Sequence, residues 1–379
     1  MDDIKTVAAT STAVQKNTKT RIGITIGDIN GVGPETIIKV LADTRITKLC
    51  TPIIYGSGKV LTRYKRILEI ENFSYHQYNN NSYINEKKAN VINCWYEVAD
   101  LNPGKVTKAA GKYALDAIRK STLDLKKGFI DAVVTSPINK ATIQTENFQF
   151  PGHTEYYAKT FEVEDSLMLL CTDSLKVGVV TGHVPISEVS NLITKENIKK
   201  KLTIMIQSLK DDFGILKPRI AVLGLNPHAG ENGLIGTEEQ DHIIPAITEL
   251  SKKGNIVYGP FSADGFFASM SYKKFDGILA MYHDQGLIPF KTLAFGTGVN
   301  YTAGLPIVRT SPDHGTAYNI AGKGKADESS LREALFLACD IVKNRQNKVT
   351  NQLRKKARTT TERKNTTHRA IPDKAIPDK

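Results

Sequence analysis

Short apolar runs alternate with amphipathic stretches along most of the chain. RIGITIGD at 21–28 is rich in apolar residues and ends at a Gly-rich turn, the pattern of a buried strand. A helix is expected behind that turn from Pro34, since proline suits a first helical turn. TPIIYGS (51–57), DAVVTSP (131–137), LKVGVVTGH (175–183), PRIAVLGLNPHAGE (218–231) and FDGILAMY (275–282) read as further strands. Ala110, Ala114, Ala117, Ile118 and Leu125 give 109–125 helical spacing, and 197–212 reads as a second long helix. Strands alternating with helices indicate a doubly wound α/β fold. Ligands in such folds bind at the carboxyl ends of the strands. Four of the predicted strands run into polar groups, at Ser136, His183, His228 and His283.

The segment MYHDQGLIPFKTLAFGTGVNYTAGLPIVR (281–309) concentrates His283, Asp284, Gln285, Lys291, Asn300 and Arg309 among Gly and apolar residues. Such groups are rarely buried without partners, so a site for an anionic ligand is the natural reading, against a loop with a wet polar face. Three neutral imidazoles, His183, His228 and His283, suit a borderline divalent metal. Each taken singly is more simply a hydrogen-bonded structural residue, and no HExxH spacing supports the set. Lys291 and Arg309 suit a phosphate or carboxylate, Arg through its bidentate fork. His153 and Thr154 of PGHTEYYA are placed to contact an anion or to start a helix.

Two apparent nucleotide motifs fail. Gly56-Ser57-Gly58-Lys59 lacks the first Gly of a P-loop and has Val60 where Ser or Thr must meet Mg2+. GDINGVGPE is not GxGxxG, which argues against a Rossmann site.

Size and charge refine this picture. The 379 residues allow about two domains. No apolar run approaches the roughly 20 residues of a membrane span, and the polar N-terminus does not read as a secretory signal. Four cysteines (Cys50, Cys94, Cys171, Cys339) lie far apart without a CxxC. That argues against a redox pair or zinc knuckle and fits a reducing cytoplasm. Of the net charge of +12, the tail from 344 to 379 carries +8, leaving +4 elsewhere. The tail, ending in tandem AIPDK, is expected to be a frayed helix end followed by disorder. It could hold RNA or acidic partners nonspecifically; a solvated appendage is the simpler reading.

The motifs converge on one family. ITIGDINGVGPE, DAVVTSPINK, FPGHTEYYA, VVTGHVPISEV, LGLNPHAGENGLIGTEE, GPFSADGFF, YHDQGLIPFK and GVNYTAGLPIVRTSPDHGTAYNIAGKGKAD, in that order, resemble the 4-hydroxythreonine-4-phosphate dehydrogenase family of pyridoxal 5'-phosphate biosynthesis. The resemblance implies an α/β, two-domain fold like isocitrate and isopropylmalate dehydrogenases. Mostly parallel sheets would be flanked by helices, in a non-Rossmann arrangement with the active-site cleft between domains. One domain would comprise 21–140 plus 300–343 and the other, on the metal and dimer side, 141–299. Residues 1–20 would form a disordered extension and 344–379 a basic tail. The family's metal ligands match His183, His228 and His283, with Zn2+ favoured and Mg2+, Mn2+ or Co2+ as alternatives. Its substrate contacts match His153, Thr154, Lys291, Asn300 and Arg309. Lys291, Asp264 and Asp284 stand as candidates for the general base. The loop 314–327, with His314, Gly315, Thr316, Ala317, Asn319 and Gly322, would border the adenosine half of NAD or NADP. Family members are homodimers whose metal ligands are shared between subunits.

The implied reaction oxidises 4-phosphohydroxy-L-threonine to 2-amino-3-oxo-4-(phosphonooxy)butanoate, which loses CO2 to give 3-amino-2-oxopropyl phosphate. The closest alternative is a sister dehydrogenase of 4-phospho-D-threonate or 4-phospho-D-erythronate. A metal-dependent hydrolase would not need the 314–327 loop, and an inactive RNA-binding protein would not need the full set of matched ligands.

Overall fold

A computed structural model of the protein describes residues 19–79, 82–144, 149–150 and 152–368. Of the extension expected over 1–20, residues 1–18 lie outside the described residues, as does the AIPDK repeat, whereas Lys19 and Thr20 are held to the fold: Lys19 donates to the Thr47 carbonyl at 2.7 Å and the Thr20 carbonyl accepts from the Thr51 amide at 2.8 Å. The strands are β1 (Arg21–Thr25), β2 (Thr51–Gly56), β3 (Tyr75–Tyr78), β4 (Ala89–Asn93), β5 (Ala132–Thr135) and β6 (Leu167–Cys171). They continue with β7 (Lys176–Val179), β8 (Arg219–Leu223), β9 (Ile256–Phe261), β10 (Gly277–Ala280), β11 (Val299–Ala303) and β12 (Val308–Pro312). All twelve form one mixed sheet in the order β3-β4-β2-β1-β5-β12-β11-β6-β7-β10-β8-β9.

The sheet is mostly parallel. β11 is antiparallel to both β12 and β6, and β6 is antiparallel to β7. Three reversals between β12 and β7 make the β7–β10–β8 block run opposite to the β1–β5–β12 block. His183, His283 and His228 therefore follow strands of common direction. Ser136 follows a strand of the opposite sense, so the four predicted strand ends do not share one edge.

The predicted strands are buried because helices cover them. Ile22, Ile24, Ile53, Ile54, Val133 and Val134 are almost completely excluded from solvent. The helix Lys108–Lys126 begins at Thr107, whose side chain accepts from the Ala110 amide at 3.2 Å. The helix Lys195–Asp211 begins likewise at Thr194, which accepts from Asn197 at 3.2 Å. Each cap satisfies one amide that the helix leaves unpaired.

One expectation changes. The C-terminal helix spans Ser329–His368, so the backbone is helical well past residue 344, where the tail was expected to fray. Arg345 anchors this stretch by donating to Asp212 at 2.7 Å and to the Tyr301 hydroxyl at 3.0 Å. Cys50 and Cys339, remote in sequence, come close enough to raise the Cys339 pKa because that same helix packs back onto the first half; both thiols are free.

Candidate active site

The turn after β1 and the loop after β12 are built against each other. Val32 donates its amide to the Thr316 carbonyl at 2.9 Å, and Tyr318 donates its hydroxyl to Asp28 at 2.7 Å. The buried Glu35 carboxylate accepts from the Gly322 amide at 3.1 Å and the Ala326 amide at 2.8 Å. Lys39 pairs with Glu35 at 3.0 Å and donates to the Gly324 and Ala326 carbonyls. Gly31 permits this closeness, because an added Cβ would lie 2.8 Å from the Thr316 carbonyl oxygen. Asp28, Glu35 and Lys39 thus fix the 314–327 loop, a role not evident in their sequence positions.

Two cavities flank that loop. One, of about 290 Å³, is lined by Ser136, Lys140, His153, Thr154, Glu155, His183, Asn300, Arg309, Asp313, His314 and Gly315, among others. The other, of about 360 Å³ and mainly apolar, is lined by Val32, Lys291, Phe295, Asp313, His314, Ala317, Ile320 and Asp327. Asp313 and His314 belong to both walls. Of the loop residues singled out in the sequence, His314 and Ala317 line the apolar cavity and Gly315 the polar one. Thr316 and Gly322 hold the loop through their backbones, and the Asn319 carbonyl accepts from Lys323.

The polar cavity has an unusual balance of groups. Arg309 leaves the body of β12 and is only 4% exposed. It donates through Nε and Nη2 to the Thr135 hydroxyl at 3.0 and 2.7 Å, and through Nη1 to Thr302 at 3.1 Å. Among the described residues no carboxylate forms an ion pair with it. Burial pushes its pKa down from the ordinary 12.5 to about 10, against a weaker opposing pull from Tyr157 and Glu155. His153 opens the helix His153–Thr160, with Thr154 inside its first turn behind Gly152, not at the cap. Burial pushes the His153 imidazole well below its usual range, with Arg309 and Lys140 adding to the effect, so the ring is neutral near pH 7. Four buried polar atoms on this cavity's walls have no hydrogen-bond partner among the described residues: Ser136 Oγ, His153 Nε2, Asn300 Oδ1 and His314 Nε2. Buried polar atoms are ordinarily paired, so these mark where a ligand's polar groups belong.

Lys291 lies on the helix His283–Leu293, exposed, with Nζ 3.4 Å from Asp313 Oδ1. Burial raises the Asp313 pKa, opposed by Lys291. Segment 281–309 is therefore no single loop: it is this helix, strand β11 and the start of β12.

The histidines divide. His183 and His283 approach with ring centroids 5.6 Å apart. Burial, then Lys140 and His283, lower the His183 pKa and favour its neutral form. His283 Nδ1 lies 2.7 Å from Asp284 Oδ1, which leaves Nε2 open. His228 is exposed in a left-handed turn, 228–232, with φ from 40° to 78°. The turn follows Leu225 and Asn226, whose amides donate to the buried Glu239 carboxylate at 2.7 and 2.8 Å. Gly230 has no alternative there: a Cβ would sit 2.6 Å from Glu239 Oε2. Asp264 is exposed, hydrogen-bonded to Ser262, and its low pKa reflects that bond first and His228 only distantly. Among the described residues no group of three or more His, Cys, Asp or Glu is gathered to hold a metal. His228 is not brought to the other two within this chain.

Residues 48–338 match the profile of the family described as pyridoxal phosphate biosynthetic protein PdxA. The chain belongs to that family. A 4-hydroxythreonine-4-phosphate dehydrogenase of Bacteroides thetaiotaomicron is 53% identical over 86% of this chain and 90% of its own length. A putative D-threonate 4-phosphate dehydrogenase of Oceanobacillus iheyensis is 41% identical over 84% of this chain and 97% of its own. The crystal structure of 4-hydroxythreonine-4-phosphate dehydrogenase from Klebsiella pneumoniae superposes with a TM-score of 0.76 at 36% identity, covering 86% of this chain and 99% of that one. The PdxA-family chain is thus an enzyme, an oxidoreductase. Among its described residues no helix is long and apolar enough to cross a membrane.

Proposed function

We propose that this PdxA-family chain oxidises 4-phosphohydroxy-L-threonine with NAD or NADP to 2-amino-3-oxo-4-(phosphonooxy)butanoate, which decarboxylates to 3-amino-2-oxopropyl phosphate. The observation that carries this reading is Arg309: a buried guanidinium without a carboxylate partner, facing a cavity whose other walls hold four unpartnered polar atoms. A buried cation so placed fits a ligand that brings its own negative charge. The adjoining apolar cavity, walled by the 313–327 segment, has the size and lining for a nucleotide.

A nicotinamide nucleotide supplies the hydride acceptor, and a divalent cation supplies a Lewis acid for the hydroxyl oxygen. The donors suit such a cation: His183 is kept neutral, and Asp284 fixes the tautomer of His283 so that Nε2 is free. His228 of a second copy would complete the set in a homodimer. The exposure of His228 supports that arrangement, as do exposed Val184 and Ile186 after His183 and exposed Leu234 after the 228–232 turn. Zn2+ is the first choice by donor type, with Mg2+, Mn2+ or Co2+ as alternatives.

Arg309, His153, Thr154 and Asn300 bind and orient the substrate's charged ends. Lys291 takes the hydroxyl proton at Nζ only as the neutral amine, so its own proton must first leave to solvent; Asp313, 3.4 Å away on a wall shared by both cavities, holds Nζ in place. Asp284 is occupied with His283, which it orients, and Asp264 is exposed and bonded to Ser262, so neither is as well placed as Lys291 to take the proton. The free cysteines fit residence in the cytoplasm.

The test follows NADH absorbance with purified protein, substrate and NAD, with and without metal after chelation. Metal-dependent NADH formation is expected. Signal only with 4-phospho-D-threonate or 4-phospho-D-erythronate would favour the second reading, which the Oceanobacillus relative's name supports. Silence with all three would overturn the dehydrogenase proposal.

A further inference from the structure

The substrate cavity holds more charge than Arg309 alone. A guanidinium has five N–H donors. Arg309 spends three of them on Thr135 and Thr302, leaving two for a ligand. A phosphate monoester carries close to two negative charges at pH 7 and three strong acceptor oxygens. Two donors and one positive charge do not match that ligand. His153 adds no charge, because its ring is neutral. Lys291 is across the shared wall and already paired with Asp313.

Lys140 is the remaining cation on the cavity wall. It follows β5 in the sequence VTSPINK and lies at the exposed mouth. Its ammonium passes close to Gly152, where an added Cβ would be 4.0 Å from Nζ. That brings it beside the first turn of the helix that carries His153, and its charge is felt by the His153 ring. Among the described residues it makes no ion pair, although Glu155 lines the same cavity. Lys140 and Arg309 thus line one cavity, each without an ion pair among the described residues, and an anion bound there would meet both charges.

We propose that Lys140 is a second anion-binding residue of this cavity, which with Arg309 holds the phosphate of a phosphorylated substrate. Arg309 reads one edge of the group with its two remaining N–H donors. Lys140 supplies the second charge at the mouth, and the unpartnered Ser136 Oγ and His153 Nε2 lie on the walls of the same cavity. The assignment rests on the functional reading only in taking this cavity as the substrate site.

Inorganic phosphate, titrated calorimetrically into the full chain without substrate or nucleotide, tests it. Lys140→Met should weaken phosphate binding about tenfold or more, the scale of one charge-assisted hydrogen bond. Lys140→Arg should recover most of that loss, while NAD affinity stays unchanged. In turnover, the Met variant should raise KM for the phosphorylated substrate with little change in kcat. Phosphate affinity unchanged in Lys140→Met, or absent in the wild-type chain, overturns the proposal. So does equal loss in Lys140→Arg and Lys140→Met. Failure of the dehydrogenase reading is distinguishable: it leaves phosphate binding intact and shows as absence of NADH formation.

Discussion

Replacing Arg309 by Met should separate a ligand-binding cation from a structural one. In the ligand-free protein the guanidinium is buried without a counter-ion and held at about 10 in place of 12.5. That displacement corresponds to roughly 3 kcal/mol lost by the charged form on folding. A basic group whose pKa falls on folding costs stability at every pH below its folded value, so the cost is fully present at pH 7. Met removes this cost. It also removes three hydrogen bonds to Thr135 and Thr302, each worth about 1 kcal/mol. The two changes nearly cancel, and ligand-free stability should move by no more than about 1–2 kcal/mol. The ligand response should move much more. With inorganic phosphate at about 100 times its Kd the wild-type chain gains about 2.7 kcal/mol, and the variant gains almost none. Urea unfolding with and without phosphate measures both quantities. A ligand-free loss of about 3–5 kcal/mol, the size seen when a buried ion pair is broken, would refute the argument by showing that Arg309 serves the fold. Equal phosphate stabilisation of both proteins would refute it from the other side.

Other outcomes follow from the same geometry. His183→Ala and His283→Ala should each reduce bound zinc, measured by elemental analysis, with thermal midpoints close to wild type; His228→Ala should do so only if a second copy donates that ring, and full zinc content in His228→Ala would exclude it. The His153 ring is neutral in the fold but takes a proton near 6.5 once unfolded. Acid from pH 6.5 downward should therefore destabilise the wild type by up to roughly 1.4 kcal/mol per pH unit, and above 6.5 the effect should vanish. His153→Gln should show a shallower acid slope in urea unfolding at pH 5, 6 and 7. Gly230→Ala places a methyl against Glu239 at a φ of +78°. It should cost about 2–4 kcal/mol in urea unfolding and speed amide exchange across 228–232, and a neutral result would mean the turn can re-form without Glu239.

The apolar runs of β1, β2, β5, β7, β8 and β10 were legible because buried parallel strands need continuous hydrophobic segments. The helices at 108–126 and 195–211 were legible from their periodicity. β3 (YHQY) and β12 (VRTSP) were not, because their polar residues are satisfied by partners that only the assembled sheet provides. Arg309 illustrates the point: its residue type suits an anion, but its burial depends on Thr135 from β5 and Thr302 from β11. Lys140 and Asp313 gave no pattern of their own, since their importance lies in which cavity they reach. The clamp formed by Asp28, Glu35 and Lys39 joins positions nearly 300 residues apart, a distance no local rule spans. The three reversals between β12 and β7 were equally hidden, as strand direction is set by connections and not by composition.

The antiparallel seam of β11 and β6 also has a mechanical side. Five consecutive residue pairs, from Val299 with Cys171 to Ala303 with Leu167, knit the two blocks of parallel strands together. Nothing at that seam can act as a free joint. Swinging one block away from the other would break ladder hydrogen bonds worth about 1 kcal/mol each, whereas coiling the whole sheet about its own axis would keep them. The softest motion available around the two cavities is therefore torsional. It would carry Asn300 and Arg309, on neighbouring strands, through nearly the same arc, so the anion seat should keep its shape while the mouth around it breathes.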